Sequence, residues 1–557
     1  MLNSFLPQYV RPAPIVSEQR LAELSGHGLS EDGAYALRCG FGAGSLGDLT
    51  RLVALAVQRG ELLMAETLPF NDPGPMHANP YMGTPFGLNP AMADLSQVSG
   101  LNMNDEDLQA PHTQCFIDLI NSRGTQMRES GDFEQGRFSH VQLRAFKLEA
   151  LCIAFQHSEE QGGDEGFRQF VDAHLRDGDR TLDYAVFQAL HDKHQRPWQE
   201  WDDRDKRRKP IEYFSEGDAH RGIQHEARFH FFVQSHLQKQ VHRYANDVRA
   251  AGGRVIGDRA YGSDPDTPET LRSWREQHYE GKSGTFLLDE QGWPTHVNAI
   301  VEHVNGSQRI QRWGHPAINW PHAYEEAMTL VLDSLRPIAG YADGCRIDYA
   351  LGFCNGTTYM DPRDDGTNYF QPGPKYEVFK RIAAEFPDFA VYCEAAGYAD
   401  EDAHDVRRKA GLRNLYCLQW GGHPDEGDLG AIFCTDNQDT HTLPAITNAD
   451  SHDWTLSPGH MRWMLQRTGA KDGVDVQTGV LRILEWIMQS KRQIVATTLA
   501  SLSGELRCIN EVGKQDPSYW QLLCPKTVEE LEDVFRKIGV LARETRRSLG
   551  HVLSNPE

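Results

Sequence analysis

From about residue 230 onward, apolar and polar positions alternate between two kinds of segment. A helical segment comes first, then a short apolar run of β type that ends at a carboxylate. Three such pairs lie at residues 231–251 and 253–258, 324–335 and 344–348, and 376–385 and 389–394, and two further apolar runs lie at 414–420 and 430–436. This alternation is typical of βα units, so the sequence predicts a parallel α/β barrel.

The earlier part of the chain lacks this alternation. Residues 1 to about 100 favour loops around a helix at 49–59 and a short strand at 62–64, because glycine and proline punctuate the apolar runs. Residues from about 105 to 230 are charged and have helical periodicity. We therefore predict one barrel domain over residues 1–557, with a mainly helical inserted subdomain at about 105–230.

Composition narrows the choice of partners. The 557 residues carry 56 Lys and Arg against 79 Asp and Glu, a formal net charge of −23, with 39% hydrophobic residues. That hydrophobic content suits a sizeable core, while the acidic excess argues against nucleic acid or an anionic membrane as partner. The mixed-charge block at 202–209 is expected to be solvated surface. No apolar stretch reaches the ~18 residues of a membrane span and the start lacks a signal-peptide pattern, so we expect a cytoplasmic protein. The sequence makes no prediction of the oligomeric state.

Cysteines and histidines show no site pattern. The ten cysteines are scattered without a CxxC pair, and several lie in apolar segments, which is typical of buried free thiols in a reducing compartment. The 24 histidines include no HExxH motif. We therefore expect no metal and no cofactor.

Carboxylates follow the ends of the predicted strands. Asp258, Asp348 and Glu394 each close one apolar run, and either Asp436 or Asp439 closes a fourth. In a parallel barrel the residues just past the strand ends line the active face, so these side chains are expected to meet at one mouth. The structural alternative is that such residues only cap the helices that follow.

Several carboxylates without metal-ligating histidines suit glycosidic-bond chemistry. One carboxylic acid protonates the leaving oxygen, and a second carboxylate attacks or stabilises the anomeric carbon. Arg346 lies two residues before Asp348 and therefore on the same face of its strand, where its guanidinium would keep that carboxylate ionised and oriented. Aromatic side chains that can stack on sugar rings are Tyr81, Trp293, Trp313, Trp320, Trp420, Trp454 and Trp520. From the residues alone, we predict a glycosidase-like enzyme.

At these positions the sequence resembles a known family. Arg346-Ile-Asp348, Glu394 and Asp436-Asn-Gln-Asp439 are similar to the catalytic motifs of the α-amylase clan. Further segments resemble motifs of the 4-α-glucanotransferases, or amylomaltases, of glycoside hydrolase family 77: Pro80-Tyr81 to Asp94, Asp183-Tyr-Ala-Val-Phe with Arg196-Pro-Trp198, Ile256-Gly-Asp258, Phe286 to Thr295, Arg312-Trp-Gly-His-Pro to Trp320, and Ser503-Gly-Glu-Leu-Arg507. The resemblance runs from about residue 40 to 522 in family order.

The resemblance implies a (β/α)8 barrel with helical insertions and no C-terminal β-sandwich. It assigns Asp348 as the nucleophile that forms a covalent glucosyl-enzyme, and Glu394 as the acid that then becomes the base. Asp439 would stabilise the transition state, and Arg346 would orient the nucleophile. Asp258 would shape the sugar subsite beside it.

Departures from the family pattern surround this set. The family reads RIDHFRGF where this chain has Tyr349 after the nucleophile, and EDLG where it has Ala395. It reads THDND where this chain has Asn437 and Gln438, and a glutamine hydrogen-bonds a hydroxyl but carries no charge. The chemistry is therefore expected to be kept while the shell around the donor sugar differs. The residues expected to bind substrate are Asp258, Gln438, Tyr81, Trp313, Tyr349 and Asn437.

Three hypotheses follow from these observations. The first is a retaining α-glucan glycosyltransferase that moves α-1,4-glucosyl segments between malto-oligosaccharides. The second is an α-glycoside hydrolase or transglycosidase of the same clan with a different donor or linkage, favoured by the changed shell. The third is a non-catalytic glucan-binding descendant, which would have no chemical need for the complete set of catalytic residues.

Overall fold

In the computed structural model of this chain, the described residues are 2–5, 18–39, 43–75, 77–98, 101, 110–130, 135–215, 220–304, 307–353, 358–360, 368–370, 373–394, 408–420, 424–425, 431–436, 439–440, 442–447, 468, 475–490, 494–507, 510, 520–522 and 524–554.

Eight parallel strands form a closed barrel. In chain order they are β1 (Leu2–Phe5), β2 (Met64–Thr67), β3 (Arg254–Arg259), β4 (Gly344–Ile347), β5 (Ala390–Cys393), β6 (Arg413–Cys417), β7 (Ile432–Cys434) and β8 (Ile494–Thr498). Each strand bonds to its neighbours in sequence, and β8 bonds back to β1. This is the strand order of a (β/α)8 barrel, so the predicted fold class is confirmed.

Helices fill most of the chain around these strands. They are α1 (Glu18–Ser25), α2 (Glu31–Cys39), α3 (Leu46–Gly60), α4 (Pro111–Ser130), α5 (His140–Glu160), α6 (Glu165–His174), α7 (Arg180–His194), α8 (Asp203–Arg207), α9 (Glu212–Ser215), α10 (Arg221–Ala250), α11 (Pro268–Tyr279), α12 (Tyr324–Tyr341), α13 (Tyr376–Glu385), α14 (Leu443–Thr447), α15 (Val476–Met488), α16 (Leu499–Ser503) and α17 (Val528–Ser554).

The longest crossover joins β2 to β3 and contains α4 to α10, so helices account for most of the described residues between 105 and 230. The 30-residue helix α10 packs against both α3 and α7 and ties this region to the barrel wall. Helix α3 begins at a capping box, in which the Ser45 side chain accepts from the N–H of Asp48 and the Asp48 carboxylate accepts from the N–H of Ser45. The domain boundaries stay predictions.

Smaller sheets lie outside the barrel. Antiparallel strands pair in the order Asn368–Phe370, Thr358–Met360, Val297–Val304 and Ser307–Pro316, and Asn71–Asp72 pairs with Thr84–Leu88. Beyond β8, the elements in the described ranges are the helices α16 and α17. Across those ranges, no helix combines the length with the apolar character that a membrane crossing requires.

Two hydrophobic clusters stabilise the fold. The larger joins the helices to the outer faces of the strands, and it includes Cys345 and Ile347 of β4. The smaller lies inside the barrel on alternate strand positions, namely Ile256, Tyr392, Leu415, Cys417, Ile432, Cys434 and Ala496. The expectation of buried free thiols is confirmed at Cys345, Cys393, Cys417, Cys434 and Cys524.

Two local predictions were wrong. The strand predicted at 62–64 lies at Met64–Thr67. The block at 202–209 is solvated at most positions, but Asp205 and Lys206 are buried. Asp205 accepts hydrogen bonds from Lys193 and Tyr213, so this charge serves the packing of the helical region.

Candidate active site

Arg346 lies at the centre of the candidate site, in the middle of β4. Its neighbours Cys345 and Ile347 belong to the main core, so the alternation of a strand turns Arg346 toward the barrel interior. The ladder places it beside Asp258 of β3 on one side and Tyr392 of β5 on the other. Its side chain is 1% exposed, so the charge depends on neighbouring acceptors for its solvation.

The guanidinium of Arg346 uses both terminal nitrogens on the candidate residues. Nη2 donates to Asp348 Oδ1 at 3.0 Å and to Glu394 Oε2 at 2.7 Å. Nη1 donates to Asp258 Oδ2 at 2.5 Å and to the hydroxyl of Tyr81 at 3.2 Å. The structure therefore brings together five of the residues singled out in the sequence.

Asp348 and Glu394 are neighbours at the mouth of the barrel. Two oxygens that share one donor nitrogen at these lengths lie within about 6 Å of each other, which is less than the ~6.5–9.5 Å between the carboxyls of inverting glycosidases and compatible with the ~5–5.5 Å of retaining ones. Backbone bonds continue the β4–β5 ladder past the strands and fix the pair, since the N–H of Glu394 donates to Ile347 and its carbonyl accepts from Ala350.

The buried environment raises the pKa of both carboxyls above that of a free carboxyl. Burial, and then the charge of Asp348, raise the pKa of Glu394 to about 7, against the opposing effect of Arg346. Burial, together with Asp258, raises the pKa of Asp348 to about 6, and Arg346 again opposes this. The side chain of Asp348 is 21% exposed and that of Glu394 is 14% exposed, so a ligand in the mouth of the barrel can reach both.

Asp258 and Tyr81 lie behind the guanidinium. The Asp258 side chain is fully buried, and it accepts from the Tyr81 hydroxyl at 2.6 Å as well as from Arg346. The Tyr81 ring lies 5.9 Å from the guanidinium carbon and 5.6 Å from the ring of Trp520. Both residues, predicted as substrate-binding, thus contact the arginine that holds the acid pair.

Tyr349 joins the acid pair to an aromatic wall. Its φ of 43° lies in the left-handed region that a side chain disfavours, and its N–H makes a long 3.5 Å hydrogen bond to Glu394 Oε2. Its ring meets Trp313 edge-to-face at 4.6 Å between centroids, and Tyr261 at 5.3 Å. The predicted Tyr349 and Trp313 therefore lie together beside Glu394.

Asp436 and Asp439, between which the sequence left the choice open, have different partners. Asp436 is fully buried and accepts from the hydroxyls of Thr435, Thr498 and Ser501, which join the ends of β7 and β8. Asp439 is half-buried and accepts from Asn510 at 2.6 Å, and its charge raises the pKa of Asp348. These differences favour Asp439 as the carboxylate that acts with the acid pair, and Asp436 as a structural one.

Some residues of interest were placed differently or not at all. Asn437, Gln438 and Ala395 lie outside the described residues. Glu66 at the end of β2 was missed, and its Oε1 lies 4.0 Å from Arg346 Nε. The signal was present, because Glu66 is another carboxylate at a strand end, but the strand had been predicted to end at residue 64.

Sequence relatives agree with one family over most of the chain. The model of glycoside hydrolase family 77, described as 4-alpha-glucanotransferase, matches residues 34–527. The chain is 24% identical over 391 residues to a 4-alpha-glucanotransferase of Streptococcus pneumoniae, covering 66% of this chain and 72% of that protein. It is 23% identical over 332 residues to a 4-alpha-glucanotransferase of Aquifex aeolicus, covering 56% and 64%.

Solved structures share the fold. An amylomaltase from Streptococcus agalactiae in complex with acarbose superposes with a TM-score of 0.73 at 16% identity, over 98% of this chain and 99% of that one. An amylomaltase from Corynebacterium glutamicum gives 0.65 at 15% identity, over 97% and 75%. With a family model that spans most of its length, this chain belongs to the 4-alpha-glucanotransferases of glycoside hydrolase family 77.

Proposed function

We propose that this enzyme is a retaining 4-α-glucanotransferase that moves α-1,4-linked glucosyl segments between malto-oligosaccharides. The observation that carries the proposal is the pair of accessible carboxyls, Asp348 and Glu394, on one nitrogen of Arg346. Their close spacing supports a retaining double displacement, and membership of the family supports α-glucan transfer as the overall reaction.

In the first step, a carboxylate oxygen of Asp348 bonds to the anomeric carbon of the donor. The bond from that carbon to the glycosidic oxygen breaks, and Glu394 gives its proton to this oxygen. The leaving chain departs with a free hydroxyl. A pKa of about 7 keeps much of Glu394 protonated at neutral pH, as this step requires.

In the second step, a hydroxyl of an acceptor glucan attacks the same carbon while Glu394 takes its proton. The bond to Asp348 breaks and the carboxylate is regenerated. Two displacements on opposite faces leave the α configuration unchanged. Water in place of the acceptor gives hydrolysis, so transfer requires that an acceptor outcompete water at the mouth.

The surrounding residues have supporting roles in this proposal. Arg346 orients Asp348 and keeps it ionised, with Asp258 and Tyr81 fixing the guanidinium from behind. Asp439 stabilises the positive charge that develops on the donor sugar. Tyr349 and Trp313 form a wall of the sugar site, and Asn437 and Gln438 are proposed as donor contacts from the motif that ends at Asp439. A single catalytic domain and a cytoplasmic location stay predictions from the sequence.

The test is incubation with maltotriose as the sole substrate, with the products separated by size. Glucose together with chains longer than maltotriose supports the proposal. Glucose and maltose alone indicate hydrolysis. The absence of any product contradicts the proposal. In that case a panel of other α-glucosides is tested, with Asp348→Asn as the inactive reference. Turnover above this reference indicates an enzyme with another donor, and its absence indicates a glucan-binding protein without turnover.

A further inference from the structure

Glu66 is a buried acid inside the barrel that none of the steps above uses. It belongs to β2, and its ladder neighbour on β3 is Ile256, two residues before Asp258. Its side chain is 3% exposed, with Oε1 4.0 Å from Arg346 Nε. Its second oxygen, Oε2, has no hydrogen-bond partner among the described residues.

Glu66 completes a ring of carboxyls around a single cation. Arg346 faces Asp258 through Nη1, Asp348 and Glu394 through Nη2, and Glu66 through Nε. One guanidinium cannot neutralise four carboxylates in a site of low exposure, because each unpaired buried charge is costly. Some of the four carboxyls must therefore hold protons.

The hydrogen bonds differ among the carboxyls. Asp258 accepts two short bonds on Oδ2, from Arg346 and from the Tyr81 hydroxyl, and both favour its ionised form. Asp348 must be ionised to attack the donor, and Glu394 must be protonated to release the leaving group. Glu66 Oε2 receives no donor within hydrogen-bond distance in the described ranges, and Oε1 lies 4.0 Å from Arg346 Nε.

We propose that Glu66 is a positioning residue that stays protonated and turns a neutral carboxyl oxygen toward Arg346 Nε, so that the charge of Arg346 is left to Asp258 and Asp348. This role rests on the proposed function for its catalytic consequence. An ionised Glu66 would instead compete with the nucleophile for the same cation.

The groups around Glu66 agree with a neutral acid. The charged groups that influence it are Arg346 and the N-terminal amino group, which lower its pKa, and Asp258 and Glu394, which raise it; Glu66 in turn acts on the buried thiols of Cys345 and Cys434. Burial raises the pKa of Glu66 well above its ordinary value, and the negative charges of Asp258 and Glu394 add to this while Arg346 opposes it. Burial is the largest of these effects, and it outweighs the two cations.

The first test follows the melting temperature against pH for the native protein and Glu66→Gln. A proton held in the folded state and released on unfolding stabilises the fold below the unfolded pKa of about 4.3, and this contribution is lost as the pH rises. Glutamine has no such proton. The Tm of Glu66→Gln minus that of the native protein should therefore increase from about pH 5 to about pH 8. A flat or falling difference overturns the proposal, because an ionised Glu66 would stabilise the native protein more as the pH rises.

A matched control calibrates this measurement. Glu269 on α11 is also buried, with its pKa raised by burial, but it bonds Thr84 rather than Arg346. Glu269→Gln should show the same sign of Tm difference with pH. Glu269→Gln should leave kcat on maltotriose unchanged, because Glu269 lies outside the ring of carboxyls.

The second test compares Glu66→Met with Glu66→Gln on maltotriose. Methionine fills a similar volume but has no oxygen to face Arg346 Nε, so kcat should fall by about tenfold or more with little change in KM. Glutamine keeps that oxygen and should recover most of the loss. Equal losses in the two variants overturn the role of the oxygen.

The two tests separate this inference from the proposed function. The Tm comparison needs no substrate, so it decides the protonation state of Glu66 even if the native enzyme leaves maltotriose unchanged. An inactive native enzyme with a rising Tm difference contradicts the proposed function alone. An active native enzyme with a flat or falling difference contradicts the inference alone.

Discussion

Asp348 and Glu394 share one donor, the Nη2 nitrogen of Arg346, at 3.0 and 2.7 Å. A single cation therefore orients both the candidate nucleophile and the candidate acid. Burial raises the pKa of both carboxyls while Arg346 lowers both, and the charge of Asp348 raises that of Glu394 further. The arrangement favours the state with Asp348 ionised and Glu394 protonated, which is the state that begins a double displacement.

The rate should depend on pH as a narrow bell. Activity requires Asp348 ionised and Glu394 protonated, so kcat/KM should fall as the pH drops through about 6 and as it rises through about 7. Because the two groups interact, each limb reports an apparent pKa of the coupled pair and not the pKa of one residue. The measurement is kcat/KM against pH on maltotriose.

A glycosyl fluoride donor tests whether the basic limb of the pH profile belongs to Glu394. Fluoride leaves without a proton, so Glu394→Gln acting on an α-maltosyl fluoride should form the glycosyl-enzyme without that limb. The native enzyme on the same donor is the control. A basic limb that persists in Glu394→Gln would show that another group carries it.

The Tyr81 hydroxyl should stabilise the site. It donates to the buried Asp258 and accepts from Arg346, so Tyr81→Phe leaves both with an unmet bond and should cost about 1–3 kcal/mol of unfolding free energy. Tyr244→Phe is the matched control, because the buried Tyr244 hydroxyl has no partner among the described residues. The control should match the native protein in urea denaturation, and equal losses in both variants would contradict the account.

Replacement of Asp439 should affect catalysis, and replacement of Asp436 should affect stability. Asp439→Asn should lower kcat by on the order of 10²-fold or more with little change in Tm, since the proposed function assigns this charge to the stabilisation of the transition state. Asp436→Asn should lower the Tm, because Asp436 accepts three hydroxyl donors that an amide oxygen cannot all satisfy. Reversal of the two results would return Asp439 to a structural role.

Tyr349 and Trp313 should act as one surface for the sugar. Their rings touch edge-to-face, so each alanine variant should raise KM, and the double variant should raise it by less than the two effects combined. The coupling expected for such a pair is about 0.5–1.5 kcal/mol. Trp293→Ala, at an exposed turn with 39% of the residue in solvent, is the control with unchanged KM. Strict additivity would place the two rings in separate roles.

The sequence predicted the barrel and its acids because both depend on register. Strand ends of a parallel barrel meet, so Asp258, Asp348 and Glu394 came together as expected. The choice between Asp436 and Asp439 depended on hydroxyls of Thr498 and Ser501 that are distant in sequence, and no local pattern contains that information.

Other features were beyond sequence reasoning for related reasons. The strands β1 and β8 were not identified, since each is short and neither ends at a carboxylate. Glu66 was missed because the predicted strand ended two residues early. The left-handed φ of Tyr349 could not be predicted, because tyrosine gives no signal for that conformation.

The most direct test of the central claim is mass spectrometry of Glu394→Gln after reaction with α-maltotriosyl fluoride. The fluoride donor needs no acid to react, while release of the intermediate needs the base that this variant lacks, so the glycosyl-enzyme should accumulate. The account predicts a mass gain of one maltotriosyl group on the peptide that contains Asp348, and no gain in a Glu394→Gln, Asp348→Asn double variant. An unmodified protein that still turns over the donor, or a sugar attached to any other residue, would contradict it.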